Sequence, residues 1–284
     1  MQVRSGNNPG VRVPGARLQK LSGDFRFAEG LTCDKAGNVF FTDQPTDRIM
    51  EYSVEGELTT YKQPAGRANG MTFDGDGNLI ACADDHNELW SLAPGGEVTT
   101  LAQGYDGNAF NGPNDVWNTP GRGLYFTDPF YDRDYWQHHE QRQDTQQVYL
   151  LAPDHTVQRV TDDLVKPNGI VGSPDGKTLY VADIGADKTY AYDVDPDGKL
   201  SHKRLFCSMG SDGMTLDDHG NLYLTGHGVS VFDKDGQVID HIDVPEDWVG
   251  NLCFGGQDKR ALFIAASQGL YSIRTQYAGA NSAK

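Results

Sequence analysis

The chain is 284 residues long and carries 40 Asp and Glu against 24 Lys and Arg, a formal net charge of −16. Such a surface repels phosphate backbones and anionic bilayers, which excludes nucleic acid and membranes as partners, and no apolar run approaches the roughly 20 residues of a spanning helix. The 34 Gly and 13 Pro exceed average usage but fall short of low-complexity composition, so a folded, turn-rich chain with a sizeable core is expected.

Residues 1–10 lack the apolar core of a signal peptide, and 1–14 reads as a flexible arm. The expected location is cytoplasmic, or periplasmic had a leader been removed. Residues 16–21 form a spare alternating strand. From there the chain repeats itself. Glu29-Gly30-Leu31-Thr32-Cys33-Asp34, a Gly37-Asn38 turn and Val39-Phe40-Phe41-Thr42-Asp43 are followed by Asn69-Gly70-Met71-Thr72-Phe73-Asp74, a Gly77-Asn78 turn and Leu79-Ile80-Ala81-Cys82-Ala83-Asp84. The same pattern returns at Asn114-Asp115-Val116-Trp117 with Leu124-Tyr125-Phe126-Thr127-Asp128, at Asn168-Gly169-Ile170-Val171 with Leu179-Tyr180-Val181-Ala182-Asp183, and at Asp212-Gly213-Met214-Thr215 with Leu222-Tyr223-Leu224-Thr225. A degenerate sixth copy is Asn251-Leu252-Cys253-Phe254 with Ala261-Leu262-Phe263-Ile264-Ala265-Ala266.

Alternating hairpins follow most pairs: 49–54 with 58–61, 88–92 with 98–101, 148–151 with 157–160, and 229–232 with 238–242. Four strands per unit, and six units spaced by 39 to 54 residues, predict an all-β, six-bladed propeller over 1–284 as a single domain. The last unit has three strands, ending at 270–273, and the spare N-terminal strand completes it. Residues 275–284 read as a flexible tail.

In this architecture the first strand of each blade lines the central channel. Glu29, Asn69, Asn114, Asn168, Asp212 and Asn251 occupy its equivalent positions, and all six carry a side-chain oxygen. Asn or Asp before Gly is an ordinary turn former. Six of six, with a Glu among them, is better explained by one ring of oxygens suited to a hard divalent cation such as Ca²⁺; ligand type alone leaves Mg²⁺, Mn²⁺, Zn²⁺ or Fe²⁺ open. The acidic runs 74–78 and 195–198 lack the twelve-residue spacing of a calcium loop and read as hairpin turns. Residues 104–107 lack the Lys and helix of a phosphate loop, and no G-x-S-x-G elbow occurs. Cys33, Cys82, Cys207 and Cys253 lie in strand-like stretches without CxxC or neighbouring His, so buried free thiols in a reducing compartment are expected rather than a zinc site.

Loops after each second strand build the rim at the oxygen end. The long third-blade loop, 129–146, carries Tyr131, Tyr135 and Trp136 among polar groups and suits stacking on a sugar ring, unless it is a solvated insertion packed on a neighbouring blade. The adjacent His138 and His139 face apart on an extended chain, which disfavours a metal role. His86 and His227 fall on the same rim and are taken, with Tyr131, as substrate contacts.

These motifs resemble the gluconolactonase/regucalcin (senescence marker protein) family of six-bladed propellers, closest to bacterial gluconolactonases. The resemblance rests on Phe27-Ala28-Glu29-Gly30, Asn111-Gly112-Pro113-Asn114-Asp115-Val116 with Tyr125-Phe126-Thr127-Asp128-Pro129, Lys166-Pro167-Asn168-Gly169-Ile170, and Ser211-Asp212-Gly213-Met214, and covers about residues 20–275. It implies Glu29, Asn168 and Asp212 as metal ligands with Asn114 as an amide ligand, Asp212 as general base, and Asn111 as a substrate contact. It implies a metal-dependent hydrolase of a sugar lactone. The alternatives are a phosphotriester or arylester hydrolase using the same cation, and a non-catalytic calcium-binding propeller. A His-Gly-x-Arg-Arg sequence common in gluconolactonases is replaced here by Asp84-Asp85-His86-Asn87-Glu88-Leu89, which leaves substrate identity open. The overall acidity suits a neutral lactone entering and a charged acid leaving.

Overall fold

In the computed structural model, described over residues 10–136 and 139–280, the repeats fold into six four-stranded antiparallel sheets. Blade 1 runs Ala28–Cys33, Val39–Asp43, Arg48–Tyr52 and Leu58–Lys62. Blade 2 runs Ala68–Phe73, Leu79–Ala83, Glu88–Leu92 and Val98–Ala102. Blade 3 runs Val116–Thr119, Gly123–Asp128, Gln147–Leu151 and Val157–Arg159. Blade 4 runs Pro167–Gly172, Thr178–Asp183, Lys188–Val194 and Leu200–Cys207. Blade 5 runs Met214–Leu216, Leu222–Gly226, Gly228–Phe232 and Val238–Ile242. Blade 6 takes Val249–Gly255, Ala261–Ala266 and Gly269–Arg274, and the N-terminal strand Gln19–Ser22 pairs antiparallel with the last of these. This closure removes the open edge that would otherwise recruit another strand.

The core is partitioned between blades. Each pair of neighbours buries its own cluster, such as Phe40, Ile49, Met71 and Leu79 between blades 1 and 2. The cluster of Phe25, Val39, Phe41, Cys253 and Phe263 between blades 6 and 1 completes the circuit. The glycine of the dipeptide Asn/Asp-Gly, an ordinary turn former taken alone, has another use here. The ring residues sit within the innermost strands or, for Asn114 and Asp212, two residues before them; pairing slips around Glu29, Asn69 and Asn168, and the glycine lets the next blade approach. A Cβ on Gly70 would lie 2.6 Å from the Asp115 Cα, and one on Gly169 would lie 2.7 Å from the Asp212 carbonyl oxygen.

The expected turns are present. Asp74 accepts the backbone N–H groups of Asp76 (2.9 Å) and Asn78 (2.8 Å), which closes the hairpin tip at 74–78. The four thiols are free; Cys82, Cys207 and Cys253 are buried and Cys33 is half-buried. The sequence missed one short element repeated three times: single 3-10 turns at Gln44–Thr46, Asp84–His86 and Ile184–Ala186, ended by Asp47, Asn87 and Asp187 in the left-handed conformation.

Both ends differ from expectation. Residues 10–14 are docked: Val11 is buried, and the Arg12 guanidinium pairs with Asp240 at 2.8 Å. Residues 275–280 are docked as well. Thr275 and Ala280 are buried, and the Gln276 N–H donates to the Val11 carbonyl at 2.8 Å. The N-terminal strand that closes blade 6 brings these segments together, a coupling no local pattern reveals. The rest of the expected arm and tail, 1–9 and 281–284, lies outside the described residues.

Candidate active site

The aspartate ending a blade's second strand shows how the mouth is built. Asp43 accepts the N–H groups of Arg26 (3.0 Å) and Phe27 (3.1 Å). Asp128 accepts those of Asn111 and Gly112, and Asp183 those of Val165 and Lys166, all at 2.8–2.9 Å. Each carboxylate clamps the chain just before it enters an innermost strand, which fixes where the ring side chain emerges. Blade 2 breaks the pattern. Its entry is clamped by Asp47, whose Oδ1 accepts Ala65 and Arg67 N–H. Asp84 is thereby released into the mouth, where it accepts from Gln44 Nε2 (2.8 Å) and lies 3.8 Å from Arg133.

The ring forms, and its six members divide. Glu29, Asn69, Asn114 and Asn168 are each about 2% exposed, and each keeps a buried oxygen with no hydrogen-bond partner. Asp212 is half-buried, and its Oδ2 accepts from Trp248 Nε1 at 2.7 Å. Asn251 is spent locally, because its Oδ1 accepts the Leu252 N–H at 2.7 Å. Burial, and then the charge of Asp212, push the Glu29 carboxyl well above its ordinary range. Burial also raises Asp212, against the pull of Trp248 and Arg133.

Two mutually repelling carboxylates among orphaned amide oxygens are an unfavourable arrangement by themselves. The same donor set fits a hard divalent cation, which would satisfy the oxygens and compensate both charges. Glu29, Asn114, Asn168 and Asp212 are thus in position to hold one, with Asn69 beside them.

The expected substrate residues separate. Tyr131 reaches the ring; its hydroxyl accepts from Asn168 Nδ2 at 2.8 Å. His227 is exposed, its Nδ1–H donates to the Asp247 carbonyl (3.0 Å), and its ring sits edge-on to Trp248, the residue that bonds Asp212. His86 is exposed and packs on Trp90, on the outer part of the rim. Asn111 is corrected. It is fully buried, its Nδ2 donates to the Asp128 and Thr145 carbonyls, and its Oδ1 accepts from Arg142 and Gln143 N–H. With both ends saturated it braces the long loop and presents no polar atom to a substrate. His139 bonds Asp132 at 2.6 Å on the surface, and His138 lies outside the described residues.

Sequence reasoning missed Trp248, Arg133 and Asp84. Trp248 sits three residues before Asn251, and Arg133 lies inside the long loop, so neither belongs to the repeat. Asp84 was visible as a repeat position, but its freedom from clamping was not.

Asp84 is pushed up to about 8 by burial, with Arg133 and Gln44 opposing; burial likewise lifts Asp115 and Asp128 to about 7. A carboxyl whose folded value is raised stabilises the fold as an acid below its unfolded value near 4, and that stability is lost as pH rises through the folded value. Thermal stability is therefore expected to fall between pH 5 and pH 8, and Asp84→Asn to remove a few kcal/mol of that fall. Melting curves at both pH values test this; an equal decline in the variant contradicts it.

Residues 27–268 match the family model described as SMP-30/gluconolactonase/LRE-like region. Gluconolactonase from Zymomonas mobilis is 26% identical, aligned over 92% of this chain and 82% of its own. An X-ray structure of a protein assigned to the gluconolactonases superposes with a TM-score of 0.89 at 31% identity, covering 95% of this chain and 96% of the other. The gluconolactonase structure from Xanthomonas campestris gives 0.86 at 29%, covering 93% and 91%. With the family model spanning most of the chain and full-length structural agreement, this protein belongs to the SMP-30/gluconolactonase/LRE-like family.

Proposed function

We propose that this protein is a lactonase that hydrolyses a sugar lactone of the gluconolactone type to the aldonic acid, with a divalent cation, Ca²⁺ by donor chemistry, held by Glu29, Asn114, Asn168 and Asp212. The observation that carries the reading is the set of buried, unpartnered oxygens on Glu29, Asn114 and Asn168 facing the half-buried Asp212. The relatives named as gluconolactonases support the substrate class.

A bound cation would supply Lewis acidity at the lactone carbonyl, where negative charge develops. The chain's own groups do the rest. Trp248 holds Asp212 Oδ2 and leaves the other carboxylate oxygen to accept a proton from water. The water oxygen bonds to the carbonyl carbon as that proton passes to Asp212. The ring C–O bond then breaks, and the proton is returned to the departing alkoxide oxygen. Asn168 donates to Tyr131, which fixes the phenol beside the reacting centre as a face for a sugar ring.

Lactone hydrolysis is expected to be lost on complete chelation and recovered on metal add-back. Metal-free protein that keeps its rate rejects the cation. A panel including an arylester and a phosphotriester identifies the alternative esterase classes if they turn over faster than the lactone.

A further inference from the structure

Two cations converge on one phenol at the mouth. Lys166 Nζ lies 3.9 Å from the centre of the Tyr131 ring, and the Arg133 guanidinium carbon lies 4.9 Å from it. Arg133 also sits 5.6 Å from the Trp136 ring and 3.8 Å from Asp84. Lys166 makes no ion pair with a carboxylate among the described residues. Its backbone is fixed. Its N–H donates to Asp183 Oδ1 at 2.8 Å, and its carbonyl accepts the Ile184 N–H at 3.0 Å. Lys166 is two residues before the ring member Asn168, whose Nδ2 bonds the hydroxyl of the same Tyr131 that the ammonium covers.

The two cations could serve only to offset Glu29 and Asp212. A divalent cation in the ring would already do that, and Lys166, which pairs with no carboxylate among the described residues, is then left over. Positive charge held in place without a partner, at the mouth of a chain with net charge −16, is an anion receptor. The long-range repulsion of that acidic surface is screened within about 8 Å at physiological salt, so the local pair governs recognition.

We infer that the substrate is a lactone bearing an anionic substituent away from its carbonyl, and that Lys166, backed by Arg133, binds that substituent across Tyr131. This rests on the lactonase reading and replaces the expectation of a neutral substrate.

The test compares kcat/KM for glucono-1,5-lactone, its 6-phosphate and a carboxylate-bearing glucarolactone, in wild type, Lys166→Gln and Lys166→Arg. Wild type is expected to prefer at least one anionic lactone by about tenfold or more, with Lys166→Gln collapsing that ratio by about tenfold, chiefly through KM, and Lys166→Arg retaining most of it. Preference for the phosphate alone assigns a tetrahedral dianion; equal preference for the carboxylate assigns charge alone. A wild-type ratio near one, or a ratio unchanged by Lys166→Gln, overturns the inference while leaving lactone hydrolysis intact. If no lactone turns over, tryptophan fluorescence is titrated with gluconate and 6-phosphogluconate. Tighter binding of the phosphate that Lys166→Gln abolishes upholds the anion receptor without the lactonase reading, and equal binding rejects it.

Discussion

Asp212→Ala is expected to abolish lactone hydrolysis, lowering kcat/KM by about a thousandfold or more, in a protein that still folds. The variant removes the proton acceptor and one of the two carboxylates of the proposed cation site together. Folding is expected to survive because Asp212 is half-buried and supports little structure beyond the bond it accepts from Trp248. The sign of the stability change is informative. Without a cation, the Asp212 charge pushes the buried Glu29 carboxyl upward. Deleting Asp212 relieves that repulsion, so the metal-free variant is expected to melt no lower than metal-free wild type. Added Ca²⁺ is expected to raise the melting temperature of wild type and to do so far less in the variant. Wild-type turnover in Asp212→Ala removes it from catalysis. An undiminished calcium shift removes it from the cation site.

Gly30→Ala is expected to be the most damaging small substitution in the chain, costing about 4 kcal/mol or more and threatening folding itself. Gly30 has φ +59°, and a methyl group there would overlap the Asn69 carbonyl oxygen and lie 2.7 Å from its carbon. Both partners are backbone of innermost strands, held by sheets on either side, so neither can move aside. Gly75→Ala is the control: it lies at an exposed hairpin tip, with nothing within 4 Å of the added carbon, and is expected to change stability by less than about 0.5 kcal/mol. Denaturant unfolding of the two variants measures the difference. Equal stabilities would show that the blades can separate at the channel without cost.

The contrast between these two glycines bears on what a linear reading can reach. Both lie in the same repeated pattern, Gly30 in its first strand and Gly75 in its hairpin turn, and nothing local marks Gly30 as the less replaceable of the two. Gly75 does serve a turn. Gly30 serves the contact between two blades whose ring residues are 40 positions apart, Glu29 and Asn69, and only the closed ring brings them together. The three 3-10 turns were missed for a different reason. Each is three residues long, too short for a helical period, and the left-handed Asp47, Asn87 and Asp187 that end them carry no glycine to mark them.

Repetition determined the architecture from sequence alone: alternating strands and hairpin turns recur with local signatures, and a spare strand at one end matches a missing one at the other. It also determined the oxygen ring, because equivalent positions in equivalent blades point to one axis. What tertiary structure decided lies where the repeat is broken. Asn111 stands in a motif that suggested substrate contact, yet the loop folding over it consumes every polar atom it has. Asp84 matches Asp43, Asp128 and Asp183 in sequence, yet is left unclamped because Asp47 of the preceding blade has taken its work. Trp248 and Lys166 acquire their positions from the connections between blades, and Arg133 from the long loop inside blade 3. A repeat reports the interactions that every copy makes with its neighbours. Specific chemistry is made by the side chains in which the copies differ, and their partners are chosen only when the ring closes.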